Sequence, residues 1–205
     1  MVLKKYKKLE CLSCHFQCEL YPQATIKMMN CIGPKYCMWP DRNVYLKHGM
    51  QLLLMNSSYG LLDIDLIFVD FSRYNIRLFT NKEWIHYLTR TDLRLVLIAD
   101  RFTHPLALYW KKQCQQIAAV ISVDDTKKEI QRKIQLHFFG GKVGENTQPK
   151  LSDIEVQILE LMIAEKSVKR IADELSLSEK RIYAIKLSLQ NKMGGRGRLN
   201  IMLSG

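Results

Sequence analysis

The chain has 205 residues, 47% of them hydrophobic and 25% charged, the balance of a folded globular protein long enough for one ordinary domain and one small one. Thirty-one Lys and Arg against 20 Asp and Glu leave a formal charge of +11, which favours polyanionic partners. No apolar run approaches a membrane span, since even Leu61 to Phe71 is cut by Asp63, Asp65 and Asp70, and the Lys-rich start lacks the apolar core of a secretory signal; a cytoplasmic protein with no membrane partner is expected.

Residues 1–30 read as an N-terminal extension bearing Cys11, Cys14 and Cys18, with Cys31 and Cys37 following. Cys11-x-x-Cys14 has the spacing of two thiolates on a tetrahedral metal, but no second Cys-x-x-Cys or His pair completes a site. The spacing 11, 14, 18 is also one face of a helix, where three small buried side chains would look the same. That core reading is preferred to a metal site or a redox sensor, and a reducing compartment argues against disulfides.

From 31 to 139 the pattern alternates strand and helix. Cys31 to Trp39 is a weak strand, and Val44 to Met55 a helix with Leu46, Met50, Leu53 and Leu54 on one side. Asp65 to Asp70 is a short apolar strand ended by an acid, and Asn81 to Thr89 a helix. Leu93 to Ala99 is a buried strand, Pro105 to Gln116 a helix with Pro near its start. Ile117 to Val123 is a strand, and Thr126 to Phe139 a closing amphipathic helix. Alternation of this kind predicts a parallel sheet covered on both faces. Residues 140–150 supply three Gly and a Pro with little apolar content and read as a linker.

Residues 151–205 carry three amphipathic helices. Ile154, Ile158, Leu161 and Met162 make the inward stripe of the first. Ser167 caps the second, whose inward face is Val168, Ile171, Ala172 and Leu175. Ser178 caps the third, with Glu179 at the positive end of its dipole. There Ile182, Ile185, Leu189 and Met193 share one arc, while Lys180, Ala184, Leu187, Ser188 and Asn191 lie opposite, flanked by Arg181 and Tyr183. Between Leu151 and Gly205 nine Lys and Arg meet seven Asp and Glu, but between Glu179 and Arg198 six bases face a single acid. A functionless three-helix bundle would share the apolar stripes, but not this turn spacing with a basic, small-residue outer face, the form that enters a major groove.

The run Leu151-Ser152, Glu155-Val156, Ile158-Leu159, Ile171-Ala172, Leu175, Ser178, Ile182 and Lys192-Met193-Gly194 resembles the C-terminal helix-turn-helix of LuxR-type bacterial regulators, the group of NarL and FixJ. The resemblance implies sequence-specific binding of double-stranded promoter DNA, with the third helix as reader. It places Tyr183, Ala184 and Leu187 at base-reading positions and Lys180, Arg181 and Lys192 near phosphates; Ser188, Asn191, Lys169 and Arg170 complete the expected DNA-binding set. Ile185 stands where the family commonly has His, and Leu187 where a polar residue is usual, so Leu187 offers only apolar contact, such as with a thymine methyl. Family members usually act as dimers, and little of their supporting fourth helix remains here beyond Arg198 to Leu203. Dimerisation is therefore expected to rest on the first domain, as a homodimer, or on a heterologous partner, as a heterodimer with another regulator.

The strand–helix order before the linker resembles a response-regulator receiver, so the expected fold is α/β, a receiver-like (flavodoxin-like) parallel-sheet domain followed by an all-α LuxR-type domain. Asp70 falls at the phospho-acceptor position. The acidic pair expected to hold Mg²⁺ is reduced to Asp41 after Pro40. The expected hydroxyl falls on Ile98 or Ala99, and the expected Lys near Val123, beside Asp124 and Asp125, which would repel an acyl phosphate. These departures predict a pseudo-receiver without phosphorylation switching, in which Asp70 simply caps a loop.

Asp65 to Asp70, the strand Leu95 to Ala99 followed by Ala107 to Trp110, and Tyr183 resemble enterobacterial fimbrial-operon regulators of the Mat/Ecp type, with RcsA-type regulators more distant. The resemblance implies control of fimbrial or surface-adhesion genes. Tyr87-Leu-Thr-Arg90 resembles a cyclic-di-GMP motif of some LuxR-type biofilm regulators, but its place before the fourth strand argues against that ligand. His15, His48, His86, His104 and His137 are scattered singly, and no Gly-rich phosphate loop follows a strand, so neither an enzyme nor a cofactor is expected. Two alternatives stand beside the DNA-binding regulator: an auxiliary regulator acting by heterodimerisation, and a redox- or metal-sensing regulator using the N-terminal cysteines.

Overall fold

A computed structural model describes residues 6, 8–13, 18–20, 34–55, 65–138 and 149–194. Six strands form one sheet in the order β2-β1-β3-β4-β5-β6: β1 Leu9–Cys11, β2 Glu19–Leu20, β3 Tyr36–Trp39, β4 Leu66–Phe71, β5 Arg94–Ala99 and β6 Ile117–Ser122. The last four run parallel, while β1 and β2 are antiparallel to their neighbours. Helices α1 (Val44–Met55), α2 (Glu83–Leu88) and α3 (His104–Gln113) connect the parallel strands in turn, and α4 (Lys127–Phe138) follows β6. A short 3₁₀ helix at Arg73–Leu78, unheralded by any apolar periodicity, lies between β4 and α2.

Alternation along the strands divides the core into two layers. Cys37, Trp39, Ile67, Val69, Phe71, Leu95 and Leu97 face one way, under Trp84 and Leu88 of α2 and Leu106, Ala107 and Trp110 of α3. Tyr36, Met38, Leu66, Phe68, Val96 and Ile98 face the other, under Met50 of α1 and Ile134 of α4, with Leu46, Leu53 and Leu54 packed alongside. The expected parallel sheet covered on both faces is therefore present. The predicted helix bounds of α1 agree to the residue, and those of α3 and α4 within three residues.

The N-terminal cysteines depart from expectation. The helical face drawn through positions 11, 14 and 18 does not form: Cys11 ends strand β1 and Cys18 immediately precedes β2, while Cys14 lies outside the described residues. Cys11 is buried and joins the core, Cys18 is half-buried. The reason is the sheet edge. Strand β3 would leave its outer N–H and C=O groups unpaired, and the β1–β2 pair covers them.

The chain ends its described part in α5 (Asp153–Ile163), α6 (Val168–Leu175) and α7 (Glu179–Lys192). Ile182, Ile185, Leu189 and Met193 are all buried, as are Ile158, Met162, Ile171 and Ala172, whereas Ile154, Leu161, Val168 and Leu175 are only partly so. Val156 and Leu159 are buried too, which the single stripe drawn for α5 left out. Near its start, Leu151 N–H donates to the Pro105 carbonyl (3.3 Å) and Gln113 Nε2 to Asp153 Oδ1 (3.3 Å), so α5 meets the sheet unit along α3. Residues 195–205, on which the expected fourth-helix remnant falls, and most of the linker lie outside the described residues.

Candidate nucleic-acid interface

The turn between α6 and α7 is set by backbone hydrogen bonds. Ser176 takes a left-handed conformation (φ 53°), Leu177 N–H donates to the Ala172 carbonyl (2.9 Å) and Ser176 N–H to that of Asp173 (3.3 Å), a Schellman close. Helix α5 ends the same way at Glu165 (φ 59°), with Lys166 N–H on the Leu161 carbonyl (3.1 Å). Neither residue is Gly, so each carries the cost of a Cβ in the left-handed region. Ser176→Gly and Glu165→Gly should each stabilise the helical unit by about 1 kcal/mol, read as a raised urea midpoint.

Ser178 then starts α7, its Oγ accepting from Arg181 N–H (3.3 Å). The three buried residues of α7, with Met193 just past its end, fasten it to α5 and α6 and leave Lys180, Arg181, Tyr183, Ala184, Leu187 and Asn191 exposed. Tyr183 is 58% and Leu187 40% exposed, so this face is not packed against the sheet unit. Lys186 Nζ stands 5.9 Å from the Tyr183 ring centre and adds a cation beside it. On α6, Lys169 and Arg170 are exposed; Arg170 Nε lies 3.4 Å from Glu174, a surface pair that exchanges readily for another anion.

Two members of the expected set, Ser188 and Lys192, are bonded to α5. Ser188 Oγ donates to Glu155 Oε1 (2.7 Å), and Lys192 Nζ donates to Glu155 Oε2 (2.7 Å) and to the Lys150 carbonyl (3.1 Å). Glu155 also accepts from the N–H (2.7 Å) and Oγ (3.0 Å) of Ser152, closing a capping box at the start of α5. A carboxylate only 5% exposed thus ties the first helix to the last turns of the third. The Ser152-x-x-Glu155 spacing announces the box; the long-range partners become visible only in three dimensions.

Burial pushes the Glu155 carboxyl upward, but Lys192, Ser188 and Ser152 together bring it below the usual carboxylate range. A depressed folded-state value adds stability above the unfolded carboxyl value and loses it as pH falls through the folded one. Glu155→Gln should therefore lower the melting temperature near neutrality, and the gap from the unsubstituted chain should narrow below about pH 4. A gap that stays constant down to acid denaturation would contradict this linkage.

At the carboxyl ends of the parallel strands, Asp70 is 3% exposed. Its Oδ2 accepts from Asn43 Nδ2 (3.1 Å) and its Oδ1 from Ser72 N–H (3.3 Å), the geometry of a loop cap. Asp41 lies 3.7 Å from Lys8, Asp125 pairs with Lys133 (2.6 Å) and Asp124 with Arg101 (2.8 Å). Asp100 accepts from the N–H groups of Arg73, Phe102 and Thr103 (2.9, 3.0 and 2.9 Å). The residues do not fit a Mg²⁺ site: one carboxylate is internally bonded, the other is beside a Lys, and a hard cation needs several free oxygens. Among the described residues no group of three His, Cys, Asp or Glu could hold a metal ion. In the Tyr87 to Arg90 segment, Leu88 is buried and Tyr87 half-buried, 6.3 Å from Trp39, leaving Arg90 exposed. No helix among the described residues is long and apolar enough to cross a membrane.

A largely parallel α/β sheet followed by a helix-turn-helix with a bare, basic third helix is the build of a LuxR-type DNA-binding regulator. The chain belongs to the family defined by the EcpR N-terminal domain, matched over residues 10–138, and its residues 149–204 match the luxR family of bacterial regulatory proteins. It is 33% identical over 192 residues to the uncharacterized protein YqeH of Escherichia coli, covering 94% of this chain and 91% of that one. It is 21% identical over 164 residues to the Vi polysaccharide biosynthesis protein TviA of Salmonella typhi, covering 77% and 89%. Full-length FixJ from B. japonicum aligns over 82% of this chain and 96% of its own at 15% identity, with a TM-score of 0.37.

Proposed function

We propose that this regulator reads promoter DNA with the outer face of α7: Tyr183, Ala184, Leu187 and Asn191 against base edges, and Lys180, Arg181, Lys169 and Arg170 against phosphates. The observation that carries the reading is the exposure of these side chains over a helix whose opposite face is buried. Counterion release at the phosphates supplies most of the affinity, and the four base-facing groups supply selectivity. Ser188 and Lys192 act as positioning residues, holding α7 on α5 through Glu155. Footprinting on the chain's own promoter, with anisotropy titrations against a scrambled duplex, tests it. Protection of a defined site is expected; equal affinity for the scrambled duplex at every salt concentration would overturn it.

The regulator works in the cytoplasm without phosphorylation, as a dimer held through its sheet unit or with a second regulator. The hydrogen bonds that occupy Asp70 support the phosphate-independent reading. Asp70→Asn should leave promoter affinity within about twofold, with or without a small-molecule phosphodonor, because the carboxylate would be replaced by a group of the same shape. A phosphodonor-dependent gain in affinity that the substitution removes would show an active receiver. The resemblance to Mat/Ecp-type regulators supports fimbrial or surface-adhesion genes as targets, testable by transcript profiling after deletion.

A further inference from the structure

The sheet edge brings three thiols into one row. Antiparallel pairing sets Cys11 of β1 opposite Cys37 of β3. The β1–β2 register of Leu9 with Leu20 and Glu10 with Glu19, continued one step, sets Cys18 opposite Cys11 on the other side. All three side chains pack on the same sheet face.

The two pairs differ in closeness. Cys11 N–H donates to the Cys18 carbonyl at 2.8 Å, so 11–18 is a hydrogen-bonded pair with Cα atoms about 5.5 Å apart. On the β3 side the bond falls one residue on, from Leu12 N–H to the Tyr36 carbonyl at 2.6 Å. Cys11–Cys37 is therefore the non-hydrogen-bonded kind, about 4.5 Å between Cα atoms, with side chains closer together. That separation lies within the disulfide range of about 4.4–6.8 Å.

The two sulfurs already interact. The Cys37 thiol donates to Cys11, and that bond, helped by Ser13 and Lys35 and opposed by burial, lowers the Cys11 value to about 6. The same bond and burial raise Cys37 far above the ordinary thiol. One thiolate beside one retained proton is the arrangement of an attacking and a resolving cysteine.

We propose that Cys11 and Cys37 form a peroxide-sensitive dithiol that closes into a cross-strand disulfide. The Cys11 thiolate attacks hydrogen peroxide, the O–O bond breaks, and Cys11 becomes a sulfenic acid as hydroxide leaves and is protonated by solvent. The Cys37 sulfur then displaces the hydroxyl, forming the S–S bond, while its proton and that hydroxyl leave as water. Two thiols lose two electrons, and peroxide is reduced to two waters. Access comes from the edge itself, since strands of three and two residues hold few ladder bonds and open locally at low cost. The product pins β1 to β3 and leaves Cys18 as a thiol; it requires nothing of α7, so it stands apart from the DNA-binding reading.

The test treats the full chain with equimolar hydrogen peroxide, alkylates the remaining thiols, digests without reductant and maps peptides by mass spectrometry. The expected product is a Cys11–Cys37 cross-link with loss of two free thiols per chain, reversed by dithiothreitol, while Cys114 on the end of α3 stays alkylated. In Cys37→Ser, Cys11 should be captured by dimedone as a sulfenic acid. A cross-link from Cys11 to Cys18 or any other cysteine, oxidation of Cys114 as fast as Cys11, or no loss of thiols would overturn the proposal. The mapping uses the unsubstituted protein, so an unstable variant does not blunt it.

Discussion

Lys180→Ala combined with Arg181→Ala should reduce the slope of log affinity against log salt by about 2, one unit for each phosphate contact removed. Both side chains are exposed in the first turn of α7, and the Ser178 cap bonds the Arg181 backbone, so neither change should disturb the helix. The loss is electrostatic and therefore depends on salt. Since each contact scales affinity by nearly the first power of salt, the deficit should be about tenfold larger at ~50 mM than at ~200 mM. Titrations of both proteins against one promoter duplex at these salts would measure it. An unchanged slope would mean that the cations lie off the DNA. Leu187→Ala should behave oppositely, leaving the slope alone while altering preference among duplexes that differ in one thymine methyl, because an apolar contact releases no counterion.

Trp110→Ala should destabilise the sheet unit by about 3–5 kcal/mol, the usual cost of emptying an aromatic core position. Trp110 is 2% exposed and meets Trp84 edge-on at 6.1 Å and Tyr109 at 4.9 Å. Its Nε1 donates to the Phe79 carbonyl at 2.7 Å, so truncation leaves a cavity and also a buried acceptor without its donor. Phe79 in turn stacks on Phe71 at 4.0 Å, so the loss reaches β4. Trp110→Phe separates the two causes: it keeps most of the apolar contact and should cost about 1–3 kcal/mol through the orphaned carbonyl. Urea unfolding followed by tryptophan fluorescence of the two remaining Trp would rank the variants, and equal midpoints for Ala and Phe would refute the cavity account. As α3 also meets α5 through Leu151 and Gln113, the Ala variant should loosen that contact as well.

Much of both units follows from local pattern. Four apolar residues at helical spacing place α7 and identify its inner face, and Ser167 and Ser178 mark the starts of α6 and α7 because their hydroxyls accept from the first free N–H groups. The strands β4, β5 and β6 are legible as short apolar runs between helices. The 3₁₀ helix at Arg73–Leu78 is not, because only Ile76 and Leu78 of its six residues are buried and no period can be read from two positions.

Sequence alone determines the order of elements, their inner faces and the basic outer face of α7, because each depends on neighbours within a few residues. Tertiary structure decides which distant partners meet: Glu155 ties Ser188 and Lys192 of α7 to the start of α5, and the edge register sets Cys11 between Cys18 and Cys37. Helical periodicity is written locally in the chain. Strand register and buried ion pairs arise from contacts tens of residues apart, settled by which arrangement leaves the fewest buried polar groups and sheet edges without partners.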